Sequence, residues 1–327
     1  MTDQIPILDL SDYLAGKPGA LEATANELRH ACEEVGFYFV RGHGVPWNLI
    51  ADAFEASREF HDLPLAEKEA LKVNEHNVGY MASKKSVSQA STIYEGPRKS
   101  NLVAAYSLRR DLPDDHPDVL ANKRYRCGNP WPRDLPGFRE VCVSAMDALE
   151  SLALSLLPLY AVALNLPAGF FTEAFVEPQY TFRLAHYPPV DAEDNQFGIA
   201  PHTDSSFMTL LAQNEVEGLQ IRPTHGRWVD APVVSDAFLV NTGDLLYRWS
   251  NHRFRPTPHR AKASASGVDR YAIPFFFDAS NDYVMECLPT CQSPENPPRY
   301  APETYGEYML WFSRQNYDHS KEDVAAE

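Results

Sequence analysis

The sequence predicts an α+β fold in which an α-rich N-terminal part surrounds a C-terminal β core. Before about residue 178 the apolar residues recur mainly at helical spacing. From Gln179 onward, short runs of β-branched and aromatic residues alternate with turn-forming residues. Many short strands at regular spacing are typical of a sandwich or a barrel. With 327 residues, 44% of them hydrophobic, the chain can form one large core or two closely packed lobes.

The N-terminal elements follow from apolar spacing and from the residues that begin and end them. A helix is expected to end at Gly36, and two later helices each have a proline near the first turn. The stretch from about Asn74 to Trp131 is rich in Gly, Ser, Pro and Asn, which predicts irregular, loop-rich structure. The predicted order is strand 5–10, helix 20–35, strand 37–40, helix 46–61 and helix 64–72.

The longest helical pattern covers residues 137–166, and we expect it to bend near Pro158. Its apolar part contains Glu150 and Asn165, which indicates a buried helix rather than a membrane span. A last helix is predicted over about 302–315. The β core between them has predicted strands at 180–187, 207–212, 219–222, 227–229, 237–241, 244–249 and 270–277.

Composition and charge restrict the class of partner. A formal net charge of −16 argues against nucleic acid and anionic membranes, since both need a concentrated basic surface. It allows a small anionic substrate, because one buried arginine can bind a carboxylate inside an acidic protein. The five cysteines are scattered and odd in number, and the N-terminus has no basic stretch followed by an apolar run. These features predict a soluble, cytoplasmic protein with reduced thiols.

A candidate metal site begins in the β region with Pro201-His202-Thr203-Asp204. On a strand, positions i and i+2 point to the same face, so the His202 imidazole and the Asp204 carboxylate can converge. Two histidines and one carboxylate form a facial triad that leaves three coordination sites open on Fe(II). The tripeptide His-x-Asp also arises by chance in many proteins, so a third ligand is needed from elsewhere in the chain.

The candidate for the third ligand is His259, which precedes a predicted strand that begins at Arg270. A guanidinium at the back of a metal pocket is a rigid, two-pronged donor for a carboxylate. The far carboxylate of a metal-chelated 2-oxoglutarate would need such a donor.

These motifs occur in an order that resembles a known family, the Fe(II)- and 2-oxoglutarate-dependent dioxygenases of the isopenicillin N synthase-like superfamily. The resemblance runs from about residue 4 to residue 315. It implies a double-stranded β-helix (jelly-roll) core, with the iron inside its open end, an α-rich N-terminal region and flanking helices. The matching segments are 5–10, 36–44, 202–204, 209–211, 217–220, 240–244, 249–251 and 259–260.

The resemblance implies a role for five residues. His202, Asp204 and His259 match the iron ligands of the family. Arg270 matches the arginine that pairs with the distal carboxylate of 2-oxoglutarate, and Tyr187 matches a tyrosine that often hydrogen-bonds the same co-substrate.

Three further positions carry an alternative role or a departure from the family pattern. His252 is the rival third ligand, and His259 is favoured because it directly precedes Arg260, as in the family pattern. The family usually has serine where this chain has Ala272, so one hydroxyl donor to the co-substrate is missing. Losing one such bond costs about 1 kcal/mol, which weakens 2-oxoglutarate binding without forbidding it. Arg183 could be a second carboxylate partner or an outward-facing strand charge.

The resemblance implies an Fe(II)/2-oxoglutarate-dependent dioxygenase that consumes O2 and releases succinate and CO2. Its small-molecule substrate is hydroxylated at a C–H bond, with desaturation or cyclisation as further outcomes. Two other functions stay open. A 2-oxoglutarate-independent oxidase of the isopenicillin N synthase type would use Arg270 for the substrate's own carboxylate, and Ala272 supports it. A non-catalytic jelly-roll protein would keep the metal triad for structure or sensing.

The sequence also suggests a division of the chain and a place for the substrate. We expect an N-terminal α/β region at 1–120, a helical support segment at 121–178, the catalytic core at 179–300 and a C-terminal helix and tail at 301–327. The sequence leaves the oligomeric state and the substrate's identity open. Residues proposed to line the pocket, or else to be ordinary core or surface residues, are Tyr94, Arg98, Lys99, Phe207, Phe276 and Tyr283.

Overall fold

The structure, a computed structural model, describes residues 5–88, 93, 97–223, 226–264 and 267–316. The α-helices found there are α1 Ser11–Leu14, α2 Ala20–Glu34, α3 Trp47–Asp62, α4 Leu65–Ala70, α5 Pro117–Leu120, α6 Phe138–Ala163, α7 Asp244–Trp249 and α8 Tyr305–Asn316. The strands are β1 Ile7–Asp9, β2 Phe37–Arg41, β3 Gly79–Met81, β4 Ala104–Leu108, β5 Gln179–Tyr187, β6 Ile199–His202, β7 Met208–Gln213, β8 Leu219–Ile221, β9 Val229–Asp230, β10 Phe238–Thr242, β11 His259–Ala261, β12 Arg270–Asp278, β13 Val284–Met285 and β14 Glu303–Thr304.

Two sheets face each other and form the core of the molecule. The large sheet has the strand order β1-β2-β10-β7-β12-β5-β4-β3, and the small sheet has the order β6-β11-β8-β9. Apolar side chains of both sheets meet between them, including Leu239 with Ile221 and Ala185 with Ala261. The α+β class with a jelly-roll core and flanking helices is therefore confirmed.

The two faces of the large sheet carry different side chains, because neighbouring residues of a strand point to opposite faces. On the outer face, Phe182, Leu210 and Phe275 belong to the main hydrophobic core, which also contains α2, α3 and α6. The inner face carries the intervening residues of the same strands and is turned toward the small sheet. Polar groups that cannot lie in the main core are therefore collected on the inner face.

Helix α6 is long and apolar enough to cross a membrane by length and composition alone. In the structure it packs against α2 and α3, and its buried residues include Leu149, Leu156 and Tyr160. The Tyr160 hydroxyl forms a buried hydrogen bond of 2.7 Å with the hydroxyl of Tyr38 in β2. These contacts account for its apolar composition as that of a core helix.

Three details of the predicted secondary structure were wrong. The segment from Asp244 to Trp249 is a helix rather than a strand, and its buried residues Leu245, Leu246 and Trp249 follow helical spacing. Residues 74–131 are not wholly irregular, because they contain β3, β4 and α5. Strands β6 and β11, which carry two candidate ligands, were not predicted as separate elements.

The predicted boundaries near residues 120, 178 and 300 stay a prediction. Within the described residues, the large sheet takes β1 to β4 from the first predicted segment and β5, β7, β10 and β12 from the third. Strand β4 pairs with β5 over five residues, so the two segments share one continuous sheet.

Candidate functional site

His202, Asp204 and His259 come together at one end of the small sheet. His202 ends β6, His259 begins β11, and the two residues are directly opposite in this antiparallel pair. One ligand atom from each of the three residues lies within 4.8 Å of the other two. The Nε2 atoms of His202 and His259 are 3.7 and 3.5 Å from Oδ1 of Asp204. Two imidazoles and a carboxylate in this arrangement suit a divalent transition metal.

The way in which Asp204 reaches this cluster differs from the predicted one. Strand β6 ends at His202, so Asp204 lies in the following loop and does not continue the alternation of the strand. The loop is held by the backbone N–H of Asp244, which donates to the carbonyl of Asp204 at 2.7 Å. A Cβ atom added at Gly243 would lie 2.1 Å from the Ser206 carbonyl oxygen, so only glycine fits beside this loop.

Both histidines are oriented by hydrogen bonds from the nitrogen that faces away from the cluster. Nδ1 of His202 lies 2.9 Å from the Ala200 carbonyl oxygen, and Nδ1 of His259 lies 3.1 Å from the Thr257 carbonyl oxygen. A carbonyl can only accept, so each Nδ1 carries the proton when the ring is neutral. The Nε2 lone pairs are then free to bind a metal, the usual arrangement of histidine ligands.

The Asp204 carboxylate is buried and held from two sides. Its Oδ2 accepts hydrogen bonds from the Thr209 hydroxyl at 2.7 Å and from the Asn241 side-chain amide at 2.8 Å. Burial alone raises the pKa of Asp204, but the charge and hydrogen bond of His259, with His202 and Asn241, hold it below its usual range. Oδ1 therefore stays available, as an anionic oxygen, on the side of the two histidines.

The two histidines differ in their protonation. Burial, together with the charge of His259, lowers the pKa of His202 to about 4. Burial also lowers the pKa of His259, but the Asp204 carboxylate outweighs that effect and raises it above its usual value. His202 is therefore neutral near pH 7, whereas His259 keeps its extra proton to a higher pH than an ordinary histidine does.

Arg270 and Tyr187 face each other on neighbouring strands of the large sheet. The guanidinium carbon of Arg270 is 4.6 Å from the centre of the Tyr187 ring. Arg270 is 2% exposed, and its Nε and Nη1 atoms have no hydrogen-bond partner among the residues that the structure describes; Nη2 donates to Oε1 of Gln213 at 3.4 Å. Burying a guanidinium whose N–H groups have no partner destabilises the folded protein unless an anion accepts hydrogen bonds from them. The donors present fit a carboxylate ligand.

Comparisons with known proteins identify the family. Residues 5–134 match the family model described as non-haem dioxygenase in morphine synthesis N-terminal, and residues 178–279 match that of the 2OG-Fe(II) oxygenase superfamily. A 2-oxoglutarate-Fe(II) type oxidoreductase of Emericella nidulans is 33% identical over 321 residues, covering 95% of this chain and 90% of that protein. The chain belongs to the 2OG-Fe(II) oxygenase superfamily.

Other relatives of this oxygenase extend the comparison. Kihadalactone A synthase of Citrus sinensis is 32% identical, covering 95% of this chain and 93% of its own. The crystal structure of a full-length Neurospora crassa protein in complex with alpha-KG and thymine has a TM-score of 0.82 at 25% identity, covering 96% and 98% of the two chains. The oxygenase is thus a 2-oxoglutarate-dependent enzyme that uses Fe(II) and O2, and the two other functions left open by the sequence are not favoured.

Ala272, which stands where the family usually has serine, has a polar side chain beside it. Ala272 is buried, and its cross-strand neighbour on β7 is Gln213. Within the described residues, the Gln213 side chain accepts the one hydrogen bond that the Arg270 guanidinium makes. Its amide nitrogen brings a donor to the same side of the pocket, so the oxygenase keeps a polar group beside the guanidinium.

Several predicted alternatives are settled by position. His252 is not part of the metal cluster; it stacks on Tyr247 and hydrogen-bonds the Tyr300 hydroxyl at 2.8 Å. Phe207 belongs to the main hydrophobic core, and Tyr283 packs against that core and lines a cavity that includes none of the three candidate ligands. Phe276 lies on the inner face.

Two more residues that were predicted to line the pocket give no support to that role. Tyr94 is outside the described residues, and Lys99 forms an ion pair of 2.9 Å with Glu193. Sequence reasoning did not single out Thr209, Asn241 or Gln213, although the first two stand inside the motifs that carried the family resemblance.

Proposed function

We propose that His202, Asp204 and His259 bind the Fe(II) of this oxygenase and that Arg270 binds the distal carboxylate of 2-oxoglutarate. The buried guanidinium of Arg270, with two unpartnered nitrogen atoms, is the observation that carries the proposal. Tyr187 lies against the same guanidinium and is the proposed second contact of the co-substrate. When bound, Fe(II), 2-oxoglutarate and O2 supply the oxidation, giving succinate, CO2 and a hydroxylated small molecule, with desaturation or cyclisation as alternative outcomes.

The residues around the centre have three tasks in this reaction. His202 and His259 present their Nε2 atoms because their Nδ1 atoms are tied to backbone carbonyls. Asp204 is kept anionic by its neighbours. The apolar cluster between the sheets, which includes Ala185, Ala261 and Ala272, would limit the access of water to the site.

A small-molecule substrate is supported by the names of the relatives and by the enclosed position of the site between two sheets. We also propose a cytoplasmic location, which the five free cysteines and the acidic composition support. Fractionation of cells that express the tagged protein tests the location, and recovery in a membrane or secreted fraction would contradict it.

An anaerobic titration of the apoprotein with Fe(II) and then 2-oxoglutarate tests the assignment. We expect a visible metal-to-ligand charge-transfer band, because 2-oxoglutarate chelates the metal. The band is lost in His259→Ala, is lost at matched co-substrate in Arg270→Ala, and is kept in His252→Ala, the matched histidine control. Iron binding without a band at saturating 2-oxoglutarate would contradict the co-substrate assignment, and absence of iron binding would contradict the metal assignment.

A further inference from the structure

Arg183 lies on the inner face of the large sheet, on the same side of β5 as Tyr187. Its sequence neighbours Phe182 and Leu184 point the other way and are fully buried in the main core. The β5–β4 register places Arg183 directly opposite Ser107. The sequence allowed Arg183 to be either a partner for a carboxylate or an outward-facing strand charge. Because the side chain faces the site and not the outside of the sheet, the role of carboxylate partner is favoured.

The contacts of Arg183 leave most of its guanidinium free. Nε donates to the Ser107 hydroxyl at 3.3 Å, and the guanidinium carbon lies 5.1 Å from the centre of the Phe276 ring. Among residues 5–88, 93, 97–223, 226–264 and 267–316, no carboxylate forms an ion pair with Arg183, and the side chain is only partly buried. The edge of the guanidinium that carries both Nη atoms is therefore available to a ligand.

This cation lies beside the metal centre. Phe276 of β12 pairs with Thr209 of β7, and the Thr209 hydroxyl hydrogen-bonds Asp204. Arg183 is also close enough to His202 for its charge to be among the causes that lower the pKa of His202. Arg270, by contrast, lies opposite Tyr187, four residues further along β5. The pocket thus has two arginines, one at the co-substrate end and one beside the metal.

The charge balance of the loaded site leaves Arg183 unmatched. Fe(II), the Asp204 carboxylate, the two carboxylates of 2-oxoglutarate and the Arg270 guanidinium together carry no net charge. Arg183 then adds one positive charge next to a bound cation, and its partly buried position reduces the screening by water. A monoanion that binds there restores neutrality, and guanidinium binds a carboxylate with two parallel hydrogen bonds.

We propose that Arg183, assisted by Ser107 and Phe276, binds the carboxylate of a small monoanionic substrate and so orients the substrate toward the metal. The inference rests on the proposed function, since it assigns the remaining wall of the same pocket. Ser107 holds the guanidinium through Nε, and the Phe276 ring limits its movement, so the two Nη atoms keep a fixed direction. Arg183 is in this sense a specificity-determining residue that distinguishes acids from neutral molecules.

The test is calorimetric titration of the full chain, loaded anaerobically with Fe(II) and saturating 2-oxoglutarate so that Arg270 is already occupied. The probes are phenylacetate, cinnamate, indole-3-acetate and octanoate, each paired with its primary amide. We expect at least one acid to bind, with an affinity at least about tenfold above that of its amide, because bonds to charged groups are the stronger ones. In Arg183→Gln that preference disappears, in Arg183→Lys it is partly kept, and in the exposed control Arg58→Gln it is unchanged.

Each other result is decisive. Equal binding of the acids to Arg183→Gln and to the unmodified chain would overturn the proposal and leave Arg183 as a residue that only packs on Phe276. Binding of the amides in preference to the acids, or binding of none of the acids, would overturn the anionic substrate class. Loss of 2-oxoglutarate binding in Arg183→Gln would assign the residue to the co-substrate instead. Failure of the unmodified chain to bind 2-oxoglutarate contradicts the proposed function itself, so the two failures are distinguishable.

Discussion

The metal end and the co-substrate end of the pocket differ in how their charges are satisfied. At the metal end the Asp204 carboxylate has Thr209, Asn241 and both histidines around it, all supplied by the protein. At the other end Arg270 is also buried, yet two of its nitrogen atoms have no hydrogen-bond partner in the described part of the chain. The described residues therefore satisfy the Asp204 carboxylate before any ligand binds, whereas the Arg270 guanidinium is left for the 2-oxoglutarate that we propose binds it. Without ligands, a substitution that removes a polar group at the metal end should therefore lower the stability of the protein, whereas one that removes Arg270 should not.

The largest effect is expected from removal of a metal ligand. His259→Ala should reduce Fe(II) affinity by more than about 100-fold, since removing even an outer partner of a ligand costs about 10–100-fold. Anaerobic titration with a competing chelator measures this loss. His252→Ala is the control, and an iron affinity of His259→Ala equal to that of the control would remove His259 from the centre.

Arg270→Met should weaken co-substrate binding without lowering the stability of the ligand-free protein. We expect 2-oxoglutarate affinity to fall by roughly 10–150-fold, because hydrogen bonds to a charged group contribute about 1.5–3 kcal/mol. Without co-substrate, however, the variant should unfold at the same or a higher temperature, since two unpartnered buried nitrogen atoms are gone. Calorimetry with and without 2-oxoglutarate tests both statements, and a lower unfolding temperature without co-substrate would show that Arg270 is satisfied by the protein after all.

Asn241→Ala should weaken Fe(II) binding and the metal-free protein but leave 2-oxoglutarate binding intact, the reverse of the pattern expected for Arg270→Met. It removes one of the two hydrogen bonds to Oδ2 of Asp204, so Fe(II) affinity should fall by about 10–100-fold. Stability of the metal-free protein should also fall, because the buried carboxylate loses a donor. The 2-oxoglutarate affinity of the fully iron-loaded variant is expected to be unchanged, and a parallel loss of both affinities would contradict the separation of the two ends.

The pH dependence of the two ligands should differ as well. The Asp204 carboxylate raises the pKa of His259, and this ring must lose its extra proton when iron binds. Fe(II) affinity should therefore rise with pH up to the raised pKa of His259, by at most about tenfold per pH unit, and then level off. Binding of 2-oxoglutarate to iron-saturated protein should stay flat from about pH 6 to 8, because an arginine keeps its charge there. A co-substrate affinity that follows the same pH curve would contradict this difference.

The smallest effects concern the position of the missing hydroxyl. Ala272→Ser should strengthen and Gln213→Ala should weaken 2-oxoglutarate binding, each by about two- to tenfold, the usual value of one hydrogen bond. Fe(II) affinity should change in neither variant. If Gln213→Ala binds 2-oxoglutarate normally, the Gln213 side chain does not replace the serine of the family.

The prediction from sequence was most successful where the pattern was local. His202-x-Asp204 could be read as two converging ligands, although Asp204 converges from a loop and not from a strand. Long strands such as β5 and β12 were visible because their apolar residues extend over nine positions. The short strands β6 and β11 span four and three residues, too few for a periodic pattern.

Other parts depend on contacts between distant segments. The burial of β4 follows from its place between β3 and β5, since its own sequence, with alanine at two of five positions, has little strand preference. The face on which Arg183 lies is set by the register with Ser107, which is 76 residues away. No pattern within one segment could show that Asn241 and Thr209 meet at the same carboxylate oxygen.

The pairing of β4 with β5 joins the two family segments in a single sheet, and this has a consequence for how such enzymes diverge. Ser107 is inherited with the first segment and Arg183 with the second, yet they touch. A recombinant that combines the N-terminal segment of one relative with the C-terminal segment of another would keep the three residues that we propose bind iron, since all of them lie in the second segment. We expect it to lose substrate preference unless positions 107 and 183 are exchanged together, so these two positions should co-vary as substrates change.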